Sequence, residues 1–368
     1  MDPPKNLFVT RPTLPPLSEL LPHIENIWAS RILTNSGPYH AQFIDGLRQY
    51  LGVEHISLVT NATVGLMLAV KALQLTGEVI TTPFSFVATG HALLWAGVKP
   101  VFVDINPNTL NIDANRIEAA ITPRTTGIMA LHCYGRTCYV EAIEDIAKRH
   151  GLRVIYDAAH AFGIQHKGQS VLNFGDHSVL SFHATKVFNT LEGGAIVSRS
   201  AEAKLHIDRM INYGIVDAQT VESTGFNAKM SELTAALGTV QLKHVDSYIE
   251  QRHQIDVRYR KLLGNIPGLH FVHPPEAAPS NYYALPILIG DEHHRSRDEL
   301  YFRLRENNVF ARRYFYPLIS DFPMYVEANG DPPEMPNARR VASRVLCLPM
   351  YPDLTEDEQQ RIADVIRT

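Results

Sequence analysis

The feature that most constrains this chain is an alternation that runs from His55 to Asp157. Short, almost unbroken apolar runs alternate with segments of helical periodicity. "HISLVT" reads as a strand and "ATVGLMLAVKALQL" as a helix, and "EVITT", "SFVATGHALLWAG" and "KPVFVDI" continue as strand, helix and strand. "IDANRIEAAI", "TTGIMALH", "YVEAIEDIAKRHG" and "LRVIYDAA" repeat the pattern. Strands that are apolar throughout need cover on both faces, which a parallel sheet between two layers of helices supplies. The expected class is therefore α/β.

The flanks differ. Before the alternation, "PPLSELLPHIENIWASRIL" has helical spacing and is broken by "TNSGP", so an arm of two helices is expected. After it come two more apolar segments, "HSVLSFH" and "GGAIVSR". Then "MSELTAALGTVQLKHVDSYIEQRHQIDVRYRKLLG" reads as two helices. "HFVHPPEAAPSNYYALPILIG" reads as strands and turns, and "RSRDELYFRLRENNV" and "TEDEQQRIADVIR" as helices, the last capped by Thr355. A length of 368 residues suits two domains. The expected division is 1–243 for the arm and a large domain, and 244–368 for a smaller C-terminal α/β domain.

Several classes are disfavoured. The net charge is −4 with no run of Lys and Arg, so no nucleic-acid partner is expected. Three cysteines make no disulfide framework and suit a reducing compartment. His132, Cys133 and Cys138 lie close together, but no second ligand pair follows, so no metal is expected. No apolar run approaches the ~20 residues of a membrane span, and "MDPPKNLFVTRP" lacks a signal-peptide core. The expected location is the cytoplasm, with no membrane partner. There is no G-x-G-x-x-G after the first strand and no Walker motif.

Three stretches at strand ends carry candidate chemistry. In "TNATVGL" small and polar residues stand where a strand gives way to a helix, which is either an ordinary cap or a phosphate site using the helix N–H groups and Thr63. Asp157 ends "LRVIYD" and His160 follows three positions on; the carboxylate either caps a turn or faces a ligand at the carboxyl edge of the sheet. Lys186 follows "HSVLSFH" through a short turn, and either snorkels to water or is held as a nucleophilic amine. A phosphate cradle, an acid and an amine on one sheet edge together fit pyridoxal phosphate (PLP), which needs all three. Phe86, in "PFSFVATGH", either covers its ring or packs in the core.

"TTPFSFVATGHALLWAGVKPVFVDI", "YDAAHAFG", "SFHATKVFNTLEGGAIV" and "GFNAKMSELTAALG" resemble the DegT/DnrJ/StrS family of PLP-dependent nucleotide-sugar aminotransferases, in the family's order and over nearly the whole chain. The resemblance implies the aspartate aminotransferase fold (fold type I) and a homodimer with both subunits in each active site. It implies that Lys186 is joined to the cofactor aldehyde and that Asp157 partners the pyridine nitrogen. It places His160 beside the ring, Phe86 on it, and Ala62, Thr63 and Ser181 on the phosphate. Asn227 would reach the phosphate of the other subunit. "INYG" at 211–214 lacks the arginine that many members carry before "NYG".

The implied reaction takes an amino group from L-glutamate, or glutamine in some members, and gives it to a nucleotide-linked keto-sugar. Arg312, Arg313 and Tyr314 are candidates for the sugar nucleotide. His183 either faces the sugar or packs beneath the lysine. Motifs such as "LTNSGPYH" resemble the members that aminate C4 of dTDP-4-keto-6-deoxy-D-glucose, a step toward O-antigen or other surface glycans. Alternatives are amination at C3, the dehydration run by members with His in place of the lysine, and a non-enzymatic regulator. Lys186 disfavours the dehydratase, and the missing basic patch disfavours a DNA-binding regulator.

Overall fold

The computed structural model describes residues 5–272, 280–331 and 333–368; residues 273–279, in the Pro- and Tyr-rich stretch, lie outside the described residues. A seven-stranded sheet is built from β1 (Ile56–Val59), β2 (Glu78–Thr81), β3 (Lys99–Phe102), β4 (Thr125–Leu131), β5 (Arg153–Asp157), β6 (His177–Ser181) and β7 (Gly194–Ser198). Its spatial order is β1-β7-β6-β5-β4-β2-β3. All neighbours are parallel except at β7, which runs antiparallel to both β1 and β6.

The apolar runs are explained by cores on both faces. Val154 and Tyr156 enter one core with Leu58, Ile80, Ile128 and Leu180. Ile155, between them, enters the other with Val59, Met129, Val179 and Leu66. Fully burying such side chains stabilises by roughly 1.5–3 kcal/mol each, so neither face tolerates a polar repeat. The consequence for function is geometric. The carboxyl ends of β1, β2, β4, β5 and β6 line one edge, and the amino end of β7 lies among them.

The arm helices are Leu17–Ser30 and Pro38–Leu51. The second has Gly37 at its N-cap and no side-chain cap of its own. The buried carboxylate of Glu232 supplies one instead, accepting the N–H groups of Tyr39 at 2.8 Å and His40 at 3.0 Å. An anion at a helix N-terminus is stabilised by the exposed N–H dipoles.

In the C-terminal part, β8 (Leu269–Phe271), β9 (Leu285–Ile289) and β10 (Val345–Leu348) form an antiparallel sheet in that order. Helices Val245–Leu263, Arg297–Glu306 and Glu356–Arg367 cover it through Ile255, Tyr259, Leu300 and Ile362. Thr355 does cap the last helix: its Oγ1 accepts the Glu358 N–H at 3.2 Å, and Glu358 returns the bond to the Thr355 N–H at 3.0 Å. One departure from the expected division concerns the first residues. Leu7–Phe8 pairs in parallel with Val309–Phe310, and Leu7 is fully buried in the C-terminal core. Burial of that leucine takes the chain start away from the arm and into the C-terminal unit.

Candidate active site

A cavity of about 580 Å³ opens on the carboxyl edge of the large sheet. Its wall at one end is the start of helix Ala62–Ala72, which follows β1 after a two-residue turn. Asn61, not Thr63, is the cap: its Oδ1 accepts the Val64 N–H at 2.9 Å, and its carbonyl accepts the Gly65 N–H at 3.1 Å. The N–H groups of Ala62 and Thr63 are left for a ligand, as the first turn of a helix leaves them. Ser181, the last residue of β6, joins this wall. Gly194 faces it from β7. A Cβ there would stand 2.9 Å from the Ala62 nitrogen and 2.8 Å from the Leu180 carbonyl oxygen. Only a bare backbone fits between these strands and the helix start.

Asp157 ends β5 at 4% exposure and lines the cavity. Its Oδ2 accepts the Thr89 hydroxyl at 2.7 Å and its Oδ1 the Ala159 N–H at 3.1 Å. Burial pushes its pKa up, while the bonds from Thr89 and Ala159 and the charge of Lys186 hold it down. A carboxylate desolvated in this way is stabilised by any cation brought into the cavity.

Lys186 reaches the cavity through a tight turn after β6, in which its N–H donates to the His183 carbonyl at 2.9 Å. His183 builds that turn: its Nδ1 accepts the Thr185 N–H at 3.2 Å and lies 2.8 Å from Thr185 Oγ1. Its Nε2 lies 3.6 Å from Glu192 Oε1. The Lys186 amine donates to Tyr283 Oη at 3.2 Å. Burial lowers its pKa from 10.5 to about 8, with Asp157 opposing the shift. A neutral amine is thus within reach near neutral pH, as a nucleophile or proton carrier requires.

His160 stands with its Nδ1 accepting the Tyr134 N–H at 3.3 Å and its ring stacked on Tyr283. Burial first, then the nearby Lys186 and His132 charges, hold its pKa well below 6.5, so the imidazole is neutral. Phe86 precedes helix Val87–Trp95 and keeps 58% of its surface exposed where it borders the cavity. A bare phenyl at a cavity wall is free to cover a flat ligand.

The edge therefore brings together Ala62, Thr63, Phe86, Asp157, His160, Ser181, His183, Lys186 and Tyr314. Two expected residues, Arg312 and Arg313, are not brought there, and Asn227, expected at the other subunit's phosphate, also lies off this lining. Arg313 is engaged elsewhere: its Nη1 donates to Asp298 at 2.8 Å, and its guanidinium lies over Tyr301 and Tyr316. Arg312 exchanges backbone hydrogen bonds with Cys347, and its exposed side chain is not among the residues that line the cavity. Asn227 is exposed and lies in the loop after helix Ala201–Ile211, also off the lining. His132 and Cys138 are tied to each other and the backbone, with the Cys138 N–H on His132 Nδ1 at 3.1 Å.

Four participants escaped the sequence reading: Asn61, Thr89, Glu192 and Tyr283. Asn61 and Thr89 stand inside the motifs that were singled out, and polar residues flanking a strand end were the available signal. Tyr283 had none, since it comes from the Pro- and Tyr-rich stretch far along the chain.

The sequence pattern of the DegT/DnrJ/EryC1/StrS aminotransferase family matches residues 18–367. Over 363 residues the chain is 52% identical to a dTDP-4-amino-4,6-dideoxy-D-glucose transaminase of Shigella dysenteriae, covering 99% of each protein. Over 366 residues it is 49% identical to an enzyme of the same description from Escherichia coli, covering 98% of each. The solved structure of DesI in the presence of its TDP-sugar product matches with a TM-score of 0.94 at 34% identity, covering 99% of this chain and 93% of that one.

Proposed function

The chain belongs to the DegT/DnrJ/EryC1/StrS aminotransferase family, and from that premise we propose that it moves an amino group from L-glutamate to dTDP-4-keto-6-deoxy-D-glucose, forming dTDP-4-amino-4,6-dideoxy-D-glucose. It is a PLP-dependent transaminase. The observation that carries the proposal is the full-length identity of about half to two enzymes described by that product, joined to a partly neutral lysine facing a buried acid in one cavity. The same identity favours C4 over C3 amination.

The residues present fit the cofactor. Gly194 keeps the helix start bare where a phosphate would sit, and Asp157 is a desolvated carboxylate in want of a cation, such as a protonated pyridine nitrogen. When bound, PLP supplies the electron sink for the pair left when a substrate proton departs. Lys186 would hold the cofactor by its aldehyde carbon and, once freed, take the substrate proton on Nζ and pass it on. Asp157 would keep the ring nitrogen protonated. Ala62, Thr63 and Ser181 would hold the phosphate, Phe86 and His160 would flank the ring, and His183 and Tyr314 would border the sugar.

We also read the enzyme as a cytoplasmic homodimer with shared sites. Among the described residues no helix is long and apolar enough to cross a membrane. Trp28 (65% exposed), Leu33 (58%) and Leu191 (54%) are large apolar side chains left in the open, which a second copy would cover. Among the described residues no arginine lines the cavity, although the amino donor carries two carboxylates. That and the exposed position of Asn227 support a contribution from the partner subunit.

The test is direct. The purified protein should be yellow, and borohydride should bleach it and leave the label on Lys186. With glutamate and the keto-sugar, 2-oxoglutarate and amino-sugar should form in equal amounts, with the new C–N bond at C4 by NMR. Turnover by Lys186→Ala at the wild-type rate would refute the assignment.

A further inference from the structure

Among the described residues, the hydrogen-bond acceptor of the Lys186 amine comes from outside the large sheet. Tyr283 Oη takes it at 3.2 Å, and the amine lies 4.8 Å from the centre of the Tyr283 ring. Tyr283 stands on the segment leading into β9, in the C-terminal sheet. Its ring stacks on His160, with centroids 4.2 Å apart and planes 14° from parallel.

Asn281 fixes this arrangement. It is 2% exposed, and its Nδ2 donates to the carbonyls of His160 at 2.8 Å and Phe162 at 3.0 Å. Its Oδ1 accepts the Tyr283 N–H at 3.1 Å. Both ends of the amide are thus used to fasten the C-terminal segment onto the loop that follows Asp157. Gly135 makes the room: a Cβ there would stand 2.8 Å from Asn281 Oδ1, at a φ of +80° that other residues rarely adopt.

We propose that Tyr283 is a catalytic residue of the proton transfer run by Lys186, and that Asn281 is its positioning residue. The proposal rests on the aminotransferase reading above. Once freed, the lysine amine hangs on a four-carbon chain with several rotamers. A misplacement of about 1 Å in such a step costs on the order of a hundredfold in rate. By accepting one N–H, the phenol oxygen fixes the amine and leaves its lone pair free for the substrate proton. The balance is simple: the proton leaves the substrate carbon for Lys186 Nζ and leaves Nζ for the cofactor carbon, and Tyr283 neither gains nor loses one. Burial pushes the Tyr283 hydroxyl above its usual pKa, so it stays a neutral phenol throughout.

The experiment uses Tyr283→Phe and Asn281→Ala holoenzyme mixed rapidly with L-glutamate bearing hydrogen or deuterium at the α-carbon. The absorbance change of the bound cofactor is followed. Both variants should react about 10- to 100-fold more slowly, with a larger isotope effect than wild type. A second readout needs no turnover. In the apoenzyme, labelling of Lys186 by an amine reagent across pH should show a lower midpoint in Tyr283→Phe, because the ammonium form has lost an acceptor. The other titratable groups lining the cavity, Asp157, His160, His183, Glu192 and Tyr314, are unchanged in that variant. A wild-type isotope effect or a wild-type midpoint in Tyr283→Phe overturns the proposal. A wild-type protein inert to glutamate would overturn the aminotransferase reading instead.

Discussion

Thr89 donates its hydroxyl proton to Asp157 across 2.7 Å, and its oxygen lies 2.6 Å from Ser85 Oγ. Thr89 and Ser85 are 0% and 1% exposed, so the pair serves Asp157 without competition from water. A hydrogen bond to a charged group is worth roughly 1.5–3 kcal/mol. Thr89→Val keeps the shape and removes the donor, so the carboxylate becomes harder to ionise and a weaker partner for a ring nitrogen. The expected result is a fall in kcat of about tenfold or more, with cofactor still bound. Thr89→Ser should restore most of it. Steady-state kinetics of the two variants check this, and equal rates for Val and wild type would remove Thr89 from the site's support.

Asp157 and Lys186 bias each other in a way that can be read without turnover. Burial lowers the Lys186 pKa to about 8, and the Asp157 charge raises it against that trend. Asp157→Asn removes the opposing charge, so the amine should titrate below the wild-type midpoint in the apoenzyme. Labelling of Lys186 against pH measures both midpoints. Activity should fall by a larger factor than binding, since a ring nitrogen left neutral is a poor electron sink. A midpoint that rises in the Asn variant contradicts the arrangement.

What could be read in advance was decided by how local its cause is. The strands from Ile56 to Asp157 are largely apolar because both faces of the sheet are covered, and that leaves a recurring mark on the sequence. Asp157 and Lys186 stand directly after such strands, so their edge of the sheet followed. The antiparallel run of β7 left no mark, because an apolar strand reads alike in either direction. Arg312 and Arg313 are neighbours of equal promise in "FARRYFYP"; Asp298 and Tyr301, on an earlier helix, decide where Arg313 points. Tyr283 lies 97 residues from Lys186, and no spacing rule links them. Leu7 pairs beside Val309 for the same reason: its partner is fixed by burial, not by sequence distance.

Gly194→Ala tests the bare helix start. The added Cβ would meet the Leu180 carbonyl oxygen at 2.8 Å and the Ala62 nitrogen at 2.9 Å, both backbone atoms that cannot rotate away. Overpacking of this kind costs about 1–3 kcal/mol, and here it falls on the N–H groups at the phosphate end. PLP affinity of the apoenzyme should drop by about tenfold or more, one tenfold step being about 1.4 kcal/mol. Spectroscopic titration gives the affinity, and circular dichroism confirms that the fold persists. Unaltered affinity in a folded variant would show that the phosphate does not use this corner.

The buried histidines predict how stability depends on pH. His132, His160 and His177 are 0%, 4% and 2% exposed. Burial lowers His132 to about 3 and His177 to about 4, and holds His160 well below 6.5. In the unfolded chain each returns to about 6.5. Above that pH neither state binds the proton, and the full stability is present. As the pH falls through 6.5 the unfolded chain takes up protons that the folded chain refuses. The unfolding free energy should therefore fall with pH, by up to about 1.4 kcal/mol per pH unit for each histidine. Asp157, whose pKa is raised in the fold, works in the opposite sense in the apoenzyme, because its folded form binds the proton first. His177 lies at the amino end of β6, away from the cavity lining, so His177→Phe removes one titrating group without touching the site. Urea unfolding of holoenzyme between pH 8 and pH 5 should give a steeper loss for wild type than for the variant, by about one proton's slope. Identical slopes would mean that His177 takes up its proton in the folded state, against its burial.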